Sequence, residues 1–157
     1  MKIKRYIILS GCLFLITALF FNIKTNGDYS GVEEDIALGN ELGLKGNHTG
    51  AAKAFKNALI IDPYYIPAYL GLGTAYGKLN RNKEAIIVFQ EGIKLDSNHY
   101  SVPQMQMNIA SLLFYKMNDE KTAINYLKMA LQSYTDQGDY AGVALAGQKL
   151  KQYKQVP

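Results

Sequence analysis

Apolar residues are distributed in two different ways along the chain. From Tyr6 to Ile23 they form one uncharged run, and after residue 31 they recur at helical spacing between polar positions. Eighteen helical residues extend about 27 Å, close to the roughly 30 Å of a bilayer core. The first pattern therefore predicts a transmembrane helix within residues 1–23, and the second predicts a series of amphipathic helices.

The charges around the apolar run predict its orientation. Lys2, Lys4 and Arg5 precede the run and Lys24 follows it, which places the N-terminus in the cytoplasm. We therefore expect a single-pass membrane protein whose residues 24–157 lie on the non-cytoplasmic side, in the periplasm if the membrane is a bacterial inner membrane.

Two alternatives compete with this signal-anchor. One is a cleaved secretory signal with its exit at Thr25-Asn26-Gly27. The other is a lipoprotein, because Leu9-Ser10-Gly11-Cys12 resembles a lipobox whose cysteine is acylated. We favour the uncleaved anchor because cleavable signals have apolar stretches of only about 7–15 residues, and because a greasy stretch, not a polar tether, follows Cys12.

A constant interval relates the amphipathic segments. Matching positions of the first two segments are 34 residues apart: Ala51 and Ala85, Phe55 and Phe89, Asp62 and Asp96. A third copy follows at an offset of 38, with Ala123, Leu127 and Ala130, and the four additional residues fall between Leu95 and Gln106. Each copy is predicted to be a helical hairpin that buries its apolar stripe by stacking on its neighbours.

Small residues mark close contacts within each hairpin. Gly39, Gly73 and Ser111 occupy the same position in the three copies. A glycine costs about 1 kcal/mol in an exposed helix relative to alanine. We therefore expect these positions where the backbone of the partner helix approaches closely.

The motifs of these copies resemble the tetratricopeptide repeat (TPR). LGLGTAY followed by A-x3-F-x2-G, and LGNEL followed by A-x3-F-x2-A and IDP, match the family pattern, whereas Leu127 replaces the phenylalanine in the third copy. The resemblance implies an all-α, right-handed superhelix. Its expected parts are a linker at 24–31, repeats at 32–65, 66–99 and 104–137, and a capping helix with a tail at 138–157.

Charge and composition argue against several other functions. Four of the 17 basic residues lie in the first 24 positions, which contain none of the 13 acidic residues, so the rest of the chain is neutral. A nucleic-acid partner is therefore not expected. One cysteine, two isolated histidines and scattered carboxylates provide no metal site, cofactor site or catalytic group, so we do not expect an enzyme.

The TPR resemblance implies a concave groove lined by the first helix of each hairpin. The residues expected to face a protein or peptide partner there are Ile36, Asn40, Leu44, Leu70, Thr74, Lys78, Asn108, Leu112 and Lys116. Chaperone-binding members of the family hold a C-terminal carboxylate with a clamp of Lys, Arg and Asn. Of those clamp positions only Asn40 keeps the type, while Ile36, Gly71, Met105 and Ile109 occupy the others, which argues against that ligand.

The leading hypothesis is a non-catalytic, membrane-anchored scaffold that mediates protein–protein interaction in a cell-envelope assembly. The alternative is a TPR lipoprotein or secreted chaperone that pilots secretion or pilus subunits. Self-association through the repeat faces is a third hypothesis.

Overall fold

The computed structural model describes residues 28–155. The predicted anchor at 1–23, with its apolar run at 6–23 and Cys12, lies outside the described residues. Among the helices that are described, none has both the length and the hydropathy that a membrane span requires.

The described chain consists of seven helices joined by short turns, with no strand between residues 28 and 155. They are α1 (Asp28–Leu44), α2 (His48–Ile61), α3 (Ile66–Lys78), α4 (Asn82–Leu95), α5 (Val102–Met117), α6 (Glu120–Asp136) and α7 (Tyr140–Tyr153). The prediction of an all-α chain with seven helices is confirmed for this part of the sequence.

Helices that follow each other in the chain pack together, and α1, α3 and α5 also contact one another in that order. The first helices of the three hairpins therefore lie side by side in one layer. The second helices, α2, α4 and α6, lie against this layer. This arrangement is the stacked-hairpin array that the 34-residue interval predicted.

The turns within the hairpins depend on residues that tolerate positive φ. Gly46 has a φ of 78° and Asn80 a φ of 58°, and each ends the first helix of its hairpin. Asparagine and glycine adopt this left-handed conformation more readily than other residues. Asn47 then begins α2, because its side chain accepts a hydrogen bond from the Gly50 amide at 2.9 Å.

Phenylalanine rings fill the space beside the helical glycines. A Cβ added at Gly39 or Gly71 would lie 2.7 or 2.5 Å from ring atoms of Phe55, and one at Gly73 would lie 2.5 Å from the ring of Phe89. The expectation of a close backbone approach is therefore wrong in its detail. An aromatic side chain of the second helix, not its backbone, needs the space.

The first helix differs from the prediction at both its start and its outer face. It begins at Asp28, so its first turn overlaps the predicted linker at 24–31, and Val32 is buried against Ala58 and Ala68. Leu38, expected in the apolar stripe, is 46% exposed. The equivalent Leu72 is covered by the preceding hairpin, whereas no described hairpin precedes α1.

Helix α7 covers the third hairpin. Tyr153 is fully buried, stacks on Phe114 at 3.8 Å between ring centroids, and donates a 3.4 Å hydrogen bond to the Ser111 hydroxyl. Burial also raises the pKa of the Tyr153 phenol. Leu145, expected to pack here, is 46% exposed because α7 has packing partners on one side only.

Candidate partner-binding groove

The layer of first helices contains two adjoining cavities. One, of about 530 Å³, lies between α1 and α3 and is also lined by residues of α2. The other, of about 420 Å³, lies between α3 and α5. Thr74 and Lys78 line both cavities, so the two form one continuous groove across the three helices.

All nine residues that the sequence placed in the groove line these cavities. Ile36, Asn40, Leu44 and Leu70 line the first, Asn108, Leu112 and Lys116 line the second, and Thr74 and Lys78 line both. The structure thus brings them together on one surface. That a partner binds there stays a prediction.

The floor of the groove is aromatic. Phe55 lines the first cavity and Phe89 lines the second, although both rings belong to second helices. They are visible from the groove because Gly39, Gly71 and Gly73 have no side chain to cover them. The sequence analysis assigned both phenylalanines to the core and missed their second role.

The apolar side chains of the groove are exposed to different degrees. Leu44 is 91% exposed, whereas Leu70 and Leu112 are half-buried. The last two therefore support the core while presenting part of their surface to the groove. Leu44 has little packing of its own, so exposed apolar area is available at this end of the groove.

A short hydrogen-bonded series ties α3 to α5 on the groove surface. Gln104 donates from Nε2 to Asn108 Oδ1 at 3.1 Å, and Asn108 donates from Nδ2 to Thr74 Oγ1 at 3.5 Å. Thr74 donates in turn to the Leu70 carbonyl at 2.7 Å. Amide and hydroxyl groups of this kind can both donate to and accept from a polypeptide backbone.

The connection between α4 and α5 adds residues that the sequence analysis did not place in the groove. Tyr100, 70% exposed, and Ser101, buried, both line the first cavity. They come from the stretch that contains the four additional residues of the third copy. An insertion in an otherwise regular array was the available signal, but the interval does not predict the path of the inserted chain.

The groove has no carboxylate clamp and no metal site. Met105 and Ile109, at two of the clamp positions, are fully buried, and the third, Gly71, carries no side chain. Within residues 28–155, no cluster of histidine, cysteine and carboxylate side chains is arranged to hold a metal ion. The arrangement instead offers apolar area, polar hydrogen-bonding groups and two lysines.

Comparison with known proteins identifies the repeat in sequence. A family model described as tetratricopeptide repeat matches residues 44–107. No curated protein matches the chain significantly in sequence.

Several solved structures have a similar fold. PcrH of Pseudomonas aeruginosa, in complex with the chaperone binding region of PopD, is 24% identical with a TM-score of 0.73, and the alignment covers 80% of this chain and 92% of PcrH. The type III secretion chaperone SycD of Yersinia enterocolitica, in complex with a peptide of the translocator YopD, is 20% identical with a TM-score of 0.69, covering 78% and 91%.

A eukaryotic structure is similar to the same extent. The TPR2B domain of yeast Sti1, in its complex with pHsp70, is 20% identical with a TM-score of 0.74, and the alignment covers 80% of this chain and 98% of that domain. At these identities the likeness shows the fold. Together with the sequence match over residues 44–107, it supports the tetratricopeptide repeat family as the family of this chain.

Proposed function

We propose that this chain is a non-catalytic protein-binding module that holds an apolar segment of a partner protein in the groove. The observation that carries the proposal is the continuity of the two cavities across α1, α3 and α5, over an aromatic floor with the exposed Leu44 at one end. Concave apolar surfaces with a few polar groups are typical of sites for peptides or partner helices.

Similar structures support this use of the fold. PcrH and SycD are each described in complex with a segment of another protein, PopD and YopD respectively. For this chain we propose the same class of ligand, a polypeptide segment.

Substitution of groove leucines tests this proposal. We expect Leu44→Glu and Leu112→Glu each to abolish capture of partner proteins from a lysate of the source cells, because a carboxylate in the groove disfavours apolar side chains. Leu70→Glu is expected to do the same, with more effect on stability because Leu70 packs against the core. Affinity capture with mass spectrometry measures the outcome, and circular dichroism checks helicity.

A matched control comes from the second helices. Ile87 of α4 is 53% exposed and does not line either cavity. Ile87→Glu is therefore expected to retain the partners of the unmodified protein. Equal capture by Leu44→Glu, Leu112→Glu and Ile87→Glu would move the binding site away from the groove.

We further propose that the module is anchored in a membrane by residues 6–23, with residues 24–157 on the non-cytoplasmic side, as a scaffold in a cell-envelope assembly. The uncharged run and the charges around it support this. Anchoring confines the search for a partner to the membrane surface and raises the effective concentration. A phosphatase fused after residue 157 would be active only if this orientation is right.

The second candidate is a chaperone that escorts subunits of a secretion system or pilus, as a lipoprotein acylated at Cys12 or as a secreted protein. The similarity in fold to SycD, described as a type III secretion chaperone, favours considering it. Mass spectrometry of the mature N-terminus separates the candidates. Intact Met1 supports the anchor, acylated Cys12 the lipoprotein, and a new N-terminus near residue 27 the secreted form.

A further inference from the structure

The two halves of the groove differ in chemical character. The first cavity is lined by Ile36, Leu44 and Leu70 over the ring of Phe55. The second has Leu112 over the ring of Phe89, but Asn108, Lys116 and the shared Lys78 surround it. One half thus favours apolar side chains and the other presents positive charge.

The two lysines are the charged residues that line the groove. Lys78 lies in the last turn of α3 and Lys116 in the last turn of α5, and both are exposed. Among the described residues, no carboxylate is within ion-pair distance of either ammonium group, whereas Lys45 and Arg81 are paired with Glu41 and Glu84. No carboxylate lines either cavity.

This local charge contrasts with the charge of the chain. Beyond residue 24 the numbers of basic and acidic residues are equal, so the chain as a whole gives no preference for an acidic partner. Leu44 occupies in α1 the position that Lys78 and Lys116 occupy in α3 and α5. A ligand that crosses the three helices along this edge therefore meets an apolar side chain first and then two cations.

We propose, on the basis of the groove function above, that the bound segment has an apolar anchor for the first cavity and an acidic side chain that lies between Lys78 and Lys116. Neighbouring helices pack about 8–10 Å apart, which sets the distance from anchor to acid. That distance corresponds to about three residues of extended chain or about two turns of helix. An exposed ion pair of this kind changes affinity by about two- to fivefold.

Selection of ligands from a peptide library tests this inference. The full chain, in detergent micelles, is used to enrich a displayed library of random 16-residue peptides. Enriched peptides are expected to combine an apolar residue with an aspartate or glutamate at one fixed spacing and in one order. A library enriched in neutral or basic peptides would overturn the inference.

Charge removal on both sides measures the contact directly. The best peptide is remade with glutamine in place of its acid, and both versions are titrated by fluorescence anisotropy. The acidic version is expected to bind the unmodified protein about four- to twentyfold more tightly if each lysine contributes as above. The two versions are expected to bind Lys78→Gln/Lys116→Gln equally.

Matched lysines outside the groove provide the control. Lys94 of α4 and Lys128 of α6 are exposed and line neither cavity. The Lys94→Gln/Lys128→Gln variant is expected to keep the full preference for the acidic peptide. A preference that survives in Lys78→Gln/Lys116→Gln would overturn the inference, and so would displacement of the peptide by added unlabelled protein, which would identify a second copy as the occupant.

Failure of the groove function itself has a different signature. If no peptide is enriched on the unmodified protein relative to Leu44→Glu/Leu112→Glu, both the groove function and this inference are wrong. If enriched peptides depend on Leu44 and Leu112 but lack acids, the groove function stands and the inference alone is wrong.

Discussion

At the scale of single residues, one helical position explains how aromatic rings reach the groove. Gly39 and Gly73 are 34 residues apart and each lies against the phenylalanine 16 residues later in the chain. Gly147 of α7 is in the corresponding register, but a Cβ there would meet no atom within 4 Å. The same residue type therefore has two different energetic roles in one protein.

This contrast gives a matched pair of substitutions. Gly73→Ala is expected to lower the free energy of unfolding by about 1–3 kcal/mol, because the Phe89 ring cannot move without disturbing the core. Gly147→Ala is expected to raise it by up to about 1 kcal/mol through helix propensity alone. Chemical denaturation of the two variants measures both effects, and equal stability would contradict the packing described for Phe89.

At the scale of elements, α7 is held by one side chain more than by any other. Tyr153 is fully buried and stacks on Phe114, with the edge of Tyr115 at 5.5 Å between ring centroids. Tyr140, at the other end of α7, is 85% exposed. Docking of the helix therefore depends on its C-terminal end.

Truncation of the two tyrosines tests this asymmetry. Tyr153→Ala is expected to lower the free energy of unfolding by about 3–5 kcal/mol, the usual cost of removing a large buried aromatic side chain. Tyr140→Ala is expected to change it by no more than about 0.5 kcal/mol. Thermal unfolding followed by circular dichroism compares them, and a similar loss in both variants would show that α7 is not anchored through Tyr153.

At the scale of the whole molecule, burial is concentrated in the third hairpin. In α5, Val102, Met105, Met107, Ile109 and Leu113 are all buried, whereas in α1 Val32 is the only buried apolar side chain beyond residue 30. Positions of α1 that correspond to the buried Ala68 and Ala75 carry Glu34 and Glu41. The described array is thus more weakly held at its first helix.

Amide hydrogen exchange is expected to follow this gradient. Backbone amides in the middle of α5 should exchange slowest, at rates set by global unfolding, because opening this helix exposes the largest apolar side chains of the core. Amides of α1 should exchange faster, through local opening. Uniform protection from α1 to α5 would mean that the described array unfolds as a single cooperative unit.

The constant interval allowed much of this architecture to be predicted. It assigned helical hairpins, the turns at Gly46 and Asn80, and a common surface for nine dispersed residues, because a fixed repeat places equivalent positions on the same face. Other features have no periodic signal. The start of α1 at Asp28, the exposure of Leu38 and the path of the chain through Tyr100 and Ser101 depend on local neighbours that differ from one copy to the next.

The ring of Phe55 has a consequence for how a ligand is chosen. Glycines of two different helices enclose it, Gly39 on α1 and Gly71 on α3, and an added methyl group on either would collide with it. A ring confined from both directions cannot rotate away to admit a bulkier guest. The bed of the groove therefore acts as a rigid template, and any adjustment in shape must come from the incoming polypeptide.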